Sequence, residues 1–433
     1  MRRIPLTLRG AGALLLAAAC FALAAQVGLV GLQMLGVLLV ALVAASVVWV
    51  WTVRRAADVA RAVAPALPAV GDTVTVRMRM RMRSAAGMPA GLWQDAVPAG
   101  LEGTASGAWA AVGSGWRADE RTAERTYALR ATERGVHLMG PLSVTITDPF
   151  GIARRTIELG GQTRLTVTPS PIGLAPTPAP PGRSGGAHPT PSHRYGQGND
   201  DLVARPWAPG DSMRRIHWRA TAHRDELMVR QEERETSPEA TVVFDLSSER
   251  FSPGASAPGG DPRFEVAVTA CVSVAARLVH DGFEVAVTDV TGHPLCETIE
   301  AGDEAGIERM LLAAAALHVD AGAPLAALAA RFAGDVAGPL VLVTGALREE
   351  EATALSAVAA HSTLPVLLAI GAEPAVAGAA RGWRGGAVTA ATGTPDEVWA
   401  QLAGPGAADR DRTGSEIAAV WSAAVAGVSP RVA

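Results

Sequence analysis

The sequence predicts an α+β multidomain chain: an N-terminal transmembrane helical hairpin, a small β-sandwich, and then an α/β domain. Three observations carry this. No charged residue occurs from Gly10 to Val53, the run from Val74 to Arg83 alternates between apolar residues and arginines, and after Thr241 apolar strand-like runs alternate with helical ones. The 433 residues allow two or three domains with an ample core.

The first element is the hairpin, at residues 1–55. The uncharged stretch holds 44 residues, which as helix reaches about 66 Å, roughly two crossings of a ~30 Å hydrocarbon layer. Gln26, Gly28, Gly31 and Gln33 fall where the turn should be, and Trp49 and Trp51 where an interfacial aromatic belt is expected. A cleaved signal peptide is the other reading, but the stretch is far too long and runs past any Ala-rich cleavage site. Arg2, Arg3 and Arg9 precede the hairpin, and Arg54, Arg55 and Arg61 follow it. The positive-inside rule then predicts a multi-pass protein of the inner or plasma membrane with its soluble domains cytoplasmic.

Residues 69–169 read as the sandwich. In VTVRMRMRMR the residues Val74, Val76, Met78, Met80 and Met82 share one face and the arginines the other, the pattern of a half-buried strand. The methionines read as core filler, not as a metal-binding box. Further strands are predicted at Arg125–Ala131, Pro141–Thr147 and Arg164–Thr168, with Gly- and Pro-rich turns between them. Residues 170–198, rich in Pro and Gly, read as a linker or a loop that orders on contact.

The α/β domain is predicted at 240–405. It begins with strand TVVFDL, followed by a helix over about 263–280, strand FEVAVTDV, a return strand near 295–299 and a helix over about 303–318. Strand PLVLVTG, a helix over about 349–361 and strand LPVLLAIG complete a buried, mostly parallel sheet. An edge strand near 385–390 and helices near 395–402 and 415–426 close the chain, the last within a tail at 406–433.

Charge narrows the partners. All 38 basic residues are arginine, three of them precede residue 54, and the remaining 35 face 42 carboxylates, a formal −7. Nucleic acid is therefore an unsuitable ligand. Cys20, Cys271 and Cys296 show neither CxxC nor metal-type spacing, which fits a reducing compartment.

One segment stands apart, at 199–236. From Arg205 to Glu235 it holds seven arginines, six carboxylates, two tryptophans and two histidines. Pro209-Gly210 suits the centre of a type II turn, and Asp211 or Ser212 can cap a short helix. Met213, Ile216 and Ala220 would face inward, and Arg214, Arg215, His217 and Arg219 would project around them. The run from Glu226 to Glu232 alternates like a strand. Trp207 and Trp218 are expected as anchors in a packed, Arg-stacked layer. Arg205, Asp211, Arg215 and Arg219 would form an ionic network, with Arg214 and His217 facing outward to a partner.

The wording of this segment resembles the domain of unknown function 58 family, with Arg205, Pro209, Gly210, Asp211, Arg215, Ile216, Trp218, Arg219, Leu227, Val229 and Arg230 in register. Trp207 stands where that family usually has Tyr, and His223 where it usually has Arg. The segment RGVHLMGPLSVTITDPFGIARR, Arg134 to Arg155, is similar to one that precedes the hallmark there. The resemblance implies a companion, an AAA+ ATPase of the MoxR type, often alongside a transglutaminase-like membrane protein.

After the first strand, Asp245-Leu246-Ser247-Ser248-Glu249 resembles the Asp-x-Ser-x-Ser start of a von Willebrand factor A-like domain, a Rossmann-like α/β fold whose carboxylate and hydroxyl oxygens hold Mg²⁺. Glu249 replaces the second Ser, and Thr344-Gly345 stands where Thr-Asp is usual. Asp245 and Ser247 are thus expected to satisfy loop and helix amides, with no cofactor. No GxSxG elbow, P-loop, HExxH or dinucleotide fingerprint occurs. The expected function is a membrane-tethered, non-enzymatic scaffold or adaptor in assembly or maturation of an envelope complex. The alternative is a metal-dependent or hydrolytic enzyme centred on Asp245, His217 and His223.

Overall fold

The computed structural model describes residues 6–52, 57–82, 90–109, 121–177, 202–207, 213, 216, 218–224, 226–232, 238–332, 337–389 and 407–426. Two apolar helices open it, α1 (Leu8–Val27) and α2 (Val30–Thr52), joined at Gly28. Thr7 caps α1, its hydroxyl accepting from the Gly10 amide at 3.2 Å. The helices pair along a narrow seam that buries Ala17, Cys20, Val43 and Val50 and leaves most of their leucines and valines exposed. Both are long and apolar enough to cross a membrane.

The sandwich has one sheet of β1 (Ala57–Ala64), β2 (Thr73–Met82), β4 (Leu101–Glu102) and β6 (Arg121–Ala131), in the order β1-β2-β6-β4. The other holds β3 (Gly91–Asp95), β5 (Ser106–Trp109), β8 (Leu142–Thr147) and β9 (Arg154–Leu159), in the order β5-β3-β8-β9. A two-stranded pair, β7 (Gly135–Met139) with β10 (Thr163–Val167), completes it. The strict alternation of β2 buries Val74, Val76, Met78 and Met80 against Trp93, Val144 and Ile146, as expected of a half-buried strand.

The predicted start at residue 69 is too late, because β1 already pairs with β2 along its length. Its inward face reads Val59, Arg61, Val63, and a charge at the central position hides the alternation. That charge is matched. The Arg61 guanidinium donates to both Asp95 oxygens at 2.7 and 2.8 Å, and the Tyr127 hydroxyl donates to Asp95 Oδ2 at 2.5 Å, tying the two sheets together.

The α/β domain holds five parallel strands: β13 (Glu239–Phe244), β14 (Glu284–Thr288), β15 (Ala337–Thr344), β16 (Ser362–Ile370) and β17 (Arg384–Val388), in the order β14-β13-β15-β16-β17. One face packs on α4 (Pro262–His280), with Phe244 stacked on Phe264. The other packs on α5 (Glu349–Ala359) through Leu340, Leu342, Leu355 and Val358. The predicted return strand forms only isolated antiparallel bridges, Val285–Ile299 and Thr288–Pro294.

The tail is no appendage. Its helix Ala407–Val425 begins earlier than predicted and places Ile417, Trp421 and Ala424 in the α/β core. The predicted linker is correspondingly seated at its start. Ala175 accepts from the Trp421 indole at 2.8 Å, the Ile172 amide donates to Ser273, and the Thr177 amide and hydroxyl donate to Asp281. The predicted helix at 395–402 and most of the predicted linker lie outside the described residues. Sandwich and α/β domain meet at the buried Arg134, which donates to the Leu317 carbonyl at 2.6 Å, pairs with Glu265 at 3.2 Å and lies over the Phe264 ring.

Candidate functional site

Strand order in the α/β sheet reverses between β13 and β15, and the position outside their carboxyl ends is where such sheets bind ligands. Asp245 follows β13 there, and Thr344 ends β15. The Thr344 hydroxyl donates to Asp245 Oδ2 at 2.8 Å, and the Ser247 amide to Oδ1 at 3.0 Å. The Arg250 guanidinium also pairs with Asp245 Oδ2, and its other two nitrogens donate to Glu351 at 2.8 and 3.1 Å. Protein donors thus meet both Asp245 oxygens, and a guanidinium sits against the carboxylate.

Electrostatics follow from that packing. Burial pushes the Asp245 carboxyl above its ordinary range, against the pull of Arg250, the Ser247 amide and Thr344. Burial alone would lower Arg250, but Glu351 and Asp245 together hold it above its ordinary value. Burial would likewise raise Glu351, but the bonds from Arg250 and the Arg348 amide outweigh it and hold this carboxyl below the usual range.

Gly345 belongs to the same arrangement. A Cβ there would lie 2.5 Å from the Arg250 carbonyl oxygen and 2.9 Å from the Phe251 ring, so the room for an aspartate is filled by the backbone of the arginine. Gly345→Ala is therefore expected to cost about 1–3 kcal/mol by overpacking, read as a lower melting temperature of the full chain. Sequence reasoning found Asp245, Ser247 and the anomaly at Gly345, but not Arg250 or Glu351. The signal was an arginine directly after a loop short of two metal ligands.

The hallmark segment is described in part. Strand β11 (Leu202–Pro206) pairs antiparallel with β12 (Met228–Glu232), bringing Arg205 opposite Val229, and α3 (Trp218–Arg224) lies between them in sequence. Ile216 bridges to Val229, and Ile216, Met228 and Val229 are buried. Trp218 is 68% exposed and Met213 65%, and Leu227 and Trp207 are exposed too. This corrects two expectations: Met213 does not face inward, and Trp218 is not an anchor in a packed layer. A two-stranded hairpin with one short helix has too little interior for four large apolar residues. Helix α3 begins at Trp218, and the predicted helix cap at Asp211 or Ser212 lies outside the described residues. Pro209, Gly210, Asp211, Arg214, Arg215 and His217 lie outside the described residues, as do the side chains of Arg205, Arg219 and Arg230.

The fold and its edge site define a membrane-length hairpin carrying a sandwich and a parallel α/β domain. A family model, "Protein of unknown function DUF58", matches residues 203–371, and this region belongs to that family. It spans the hallmark, Asp245, Arg250 and Glu351. No curated protein matches the chain. A solved structure titled as a beta-glucosidase from Listeria innocua with gluconolactone is similar at 14% identity over 24% of this chain and 16% of that one, with a TM-score of 0.13, and carries no argument.

Proposed function

We propose that the protein is a membrane-tethered adaptor without turnover of its own, which presents its hallmark hairpin to a protein partner. The observation that carries this is the exposure of three large apolar side chains in the segment, Met213, Trp218 and Leu227, beside the buried Ile216, Met228 and Val229. The family resemblance suggests the partner: an AAA+ ATPase of the MoxR type, with a transglutaminase-like membrane protein as a further associate and an envelope complex as the object of assembly or maturation.

The α/β domain is read as a degenerate von Willebrand factor A-like (Rossmann-like) module in which Arg250 supplies the positive charge that Mg²⁺ supplies elsewhere. Asp245 and Ser247 then need no metal or other cofactor. A second reading, a metal-dependent or hydrolytic enzyme, draws on one observation, the position of Asp245 at the strand-order reversal. The pairing of Asp245 with Arg250 weighs against it. The overall charge weighs against nucleic acid.

In this reading α1 and α2 cross the inner or plasma membrane as a multi-pass hairpin, with the arginines at both ends holding the soluble domains in the cytoplasm. Reporter fusions after Arg61 and after Ala433 test it: both are expected to show cytoplasmic activity. Extracytoplasmic activity at both sites would reverse the topology.

A further inference from the structure

We propose that the loop from Asp148 to Ile152 is a membrane-surface foot, with the Phe150 ring seated in the headgroup layer of an anionic bilayer and arginines around it; this rests on reading α1 and α2 as membrane spans. The hairpin brings the start of α1 and the end of α2 together, and both dock on this one corner of the sandwich. The Thr7 hydroxyl donates to the Gly151 carbonyl at 2.6 Å, the Thr7 amide donates to Ile152 at 2.9 Å, and Leu6 bridges to Ala153. A Cβ on Gly10 would fall 2.3 Å from the Ile152 carbonyl oxygen, so the first turn of α1 touches the loop backbone directly. From the other helix, the Val50 carbonyl accepts from Arg155, whose guanidinium lies 4.2 Å from the centre of the Trp51 ring.

The loop is thus held at the level where the apolar surface of the helices begins and ends. It is also pre-shaped. The buried Asp148 accepts from the Phe150 and Ala153 amides at 2.9 and 2.5 Å, and its carbonyl accepts from Gly151 at 3.0 Å. This rigid turn leaves Phe150 61% exposed, although Ile152 and Ala153 beside it are buried. An aromatic ring displayed from a fixed turn, on the corner where the chain just before the 94% exposed Leu8 and the end of α2 beside Trp51 both dock, is placed to extend the apolar helix surface. Arg9 and Arg154 are exposed around it, Arg155 is half-buried, and the only acidic residue of the loop is the buried Asp148. Such a basic collar selects anionic phospholipid over a zwitterionic surface. The consequence is orientational, because a third contact beside two helix ends fixes the tilt of the sandwich, and of the α/β domain pinned to it by Arg134, relative to the membrane.

The test uses the full chain with Cys296→Ser, reconstituted in lipid nanodiscs and labelled with an environment-sensitive fluorophore at Phe150→Cys or, for comparison, at Leu312→Cys on the α/β domain. In discs containing phosphatidylglycerol, the label at 150 is expected to be quenched by doxyl lipids and shielded from aqueous iodide, with the label at 312 showing the reverse. Replacing phosphatidylglycerol by phosphatidylcholine, or introducing Arg9→Gln with Arg154→Gln, should reduce the lipid quenching several-fold. A chain that enters the discs but leaves label 150 as open to iodide as label 312 overturns the foot alone. Quenching that is indifferent to lipid charge overturns the anionic preference. A chain that does not enter discs at all overturns the membrane reading on which the foot depends.

Discussion

Arg250→Ala is expected to destabilise the α/β domain by about 3–5 kcal/mol, because it leaves the buried Asp245 carboxylate without its counter-charge. The loss should depend on pH in a defined direction. Burial already raises Asp245 above its ordinary range, and the Arg250 charge is the largest influence opposing it. Without the arginine, the folded-state value rises further. A raised carboxyl contributes stability that is fully present below the unfolded value, about pH 4, and lost as pH rises through the folded one. The penalty should therefore be small in acid and full at neutral pH, measurable as melting temperatures of parent and variant across that range. Pairing Arg250→Met with Asp245→Leu, which removes both charges, should recover most of the loss at neutral pH. A flat pH profile would mean that Asp245 is not held by Arg250.

The second large effect lies in the sandwich. Asp95→Ala strands Arg61, whose side chain is fully buried, and deprives the Tyr127 hydroxyl of its acceptor, at an expected cost of about 3–5 kcal/mol. Tyr127 is pushed well above its ordinary range, first by burial and then by Asp95, so it stays a protonated donor throughout the working pH range. Denaturant unfolding with hydrogen exchange on the β1, β3 and β6 strands should show the loss concentrated there. Protection unchanged in β3 and β6 would contradict the bridging role given to this cluster.

Much of the architecture was legible because its signals are local and repeated. Absence of charge over 44 residues gave the two apolar helices, and strict alternation gave β2. Apolar runs of strand length after Thr241 gave four of the five parallel strands at nearly their observed bounds, and a predicted edge strand gave the fifth. What was hidden involved residues whose meaning is set by distant partners. β1 carries a buried arginine on its inward face, which breaks the period until Asp95 is brought across to meet it. The C-terminal helix opens with the charged stretch ADRDR, and only Ile417, Trp421 and Ala424, one helical face, reveal its place in the core. Arg250 and Glu351 lie 101 residues apart, so no local pattern joins them. In the hallmark, the sequence suggested a packed aromatic layer, but aromatic and charged residues at helical spacing do not tell whether there is a surface to pack against. For Trp218 there is none among the described residues, and its exposure is what turns a structural motif into a candidate docking face.

The central claim is that this face recognises a protein partner while the sheet edge stays closed. The direct measurement is capture of a MoxR-type AAA+ ATPase from the same organism by the full chain in detergent, with Trp218→Ala alongside and melting temperatures taken for both. The account predicts capture by the parent, at least about a tenfold loss in Trp218→Ala, as for a truncated aromatic hot spot, and nearly unchanged melting because the side chain is exposed. Equal capture by parent and variant, or no capture by a well-folded parent, would contradict it.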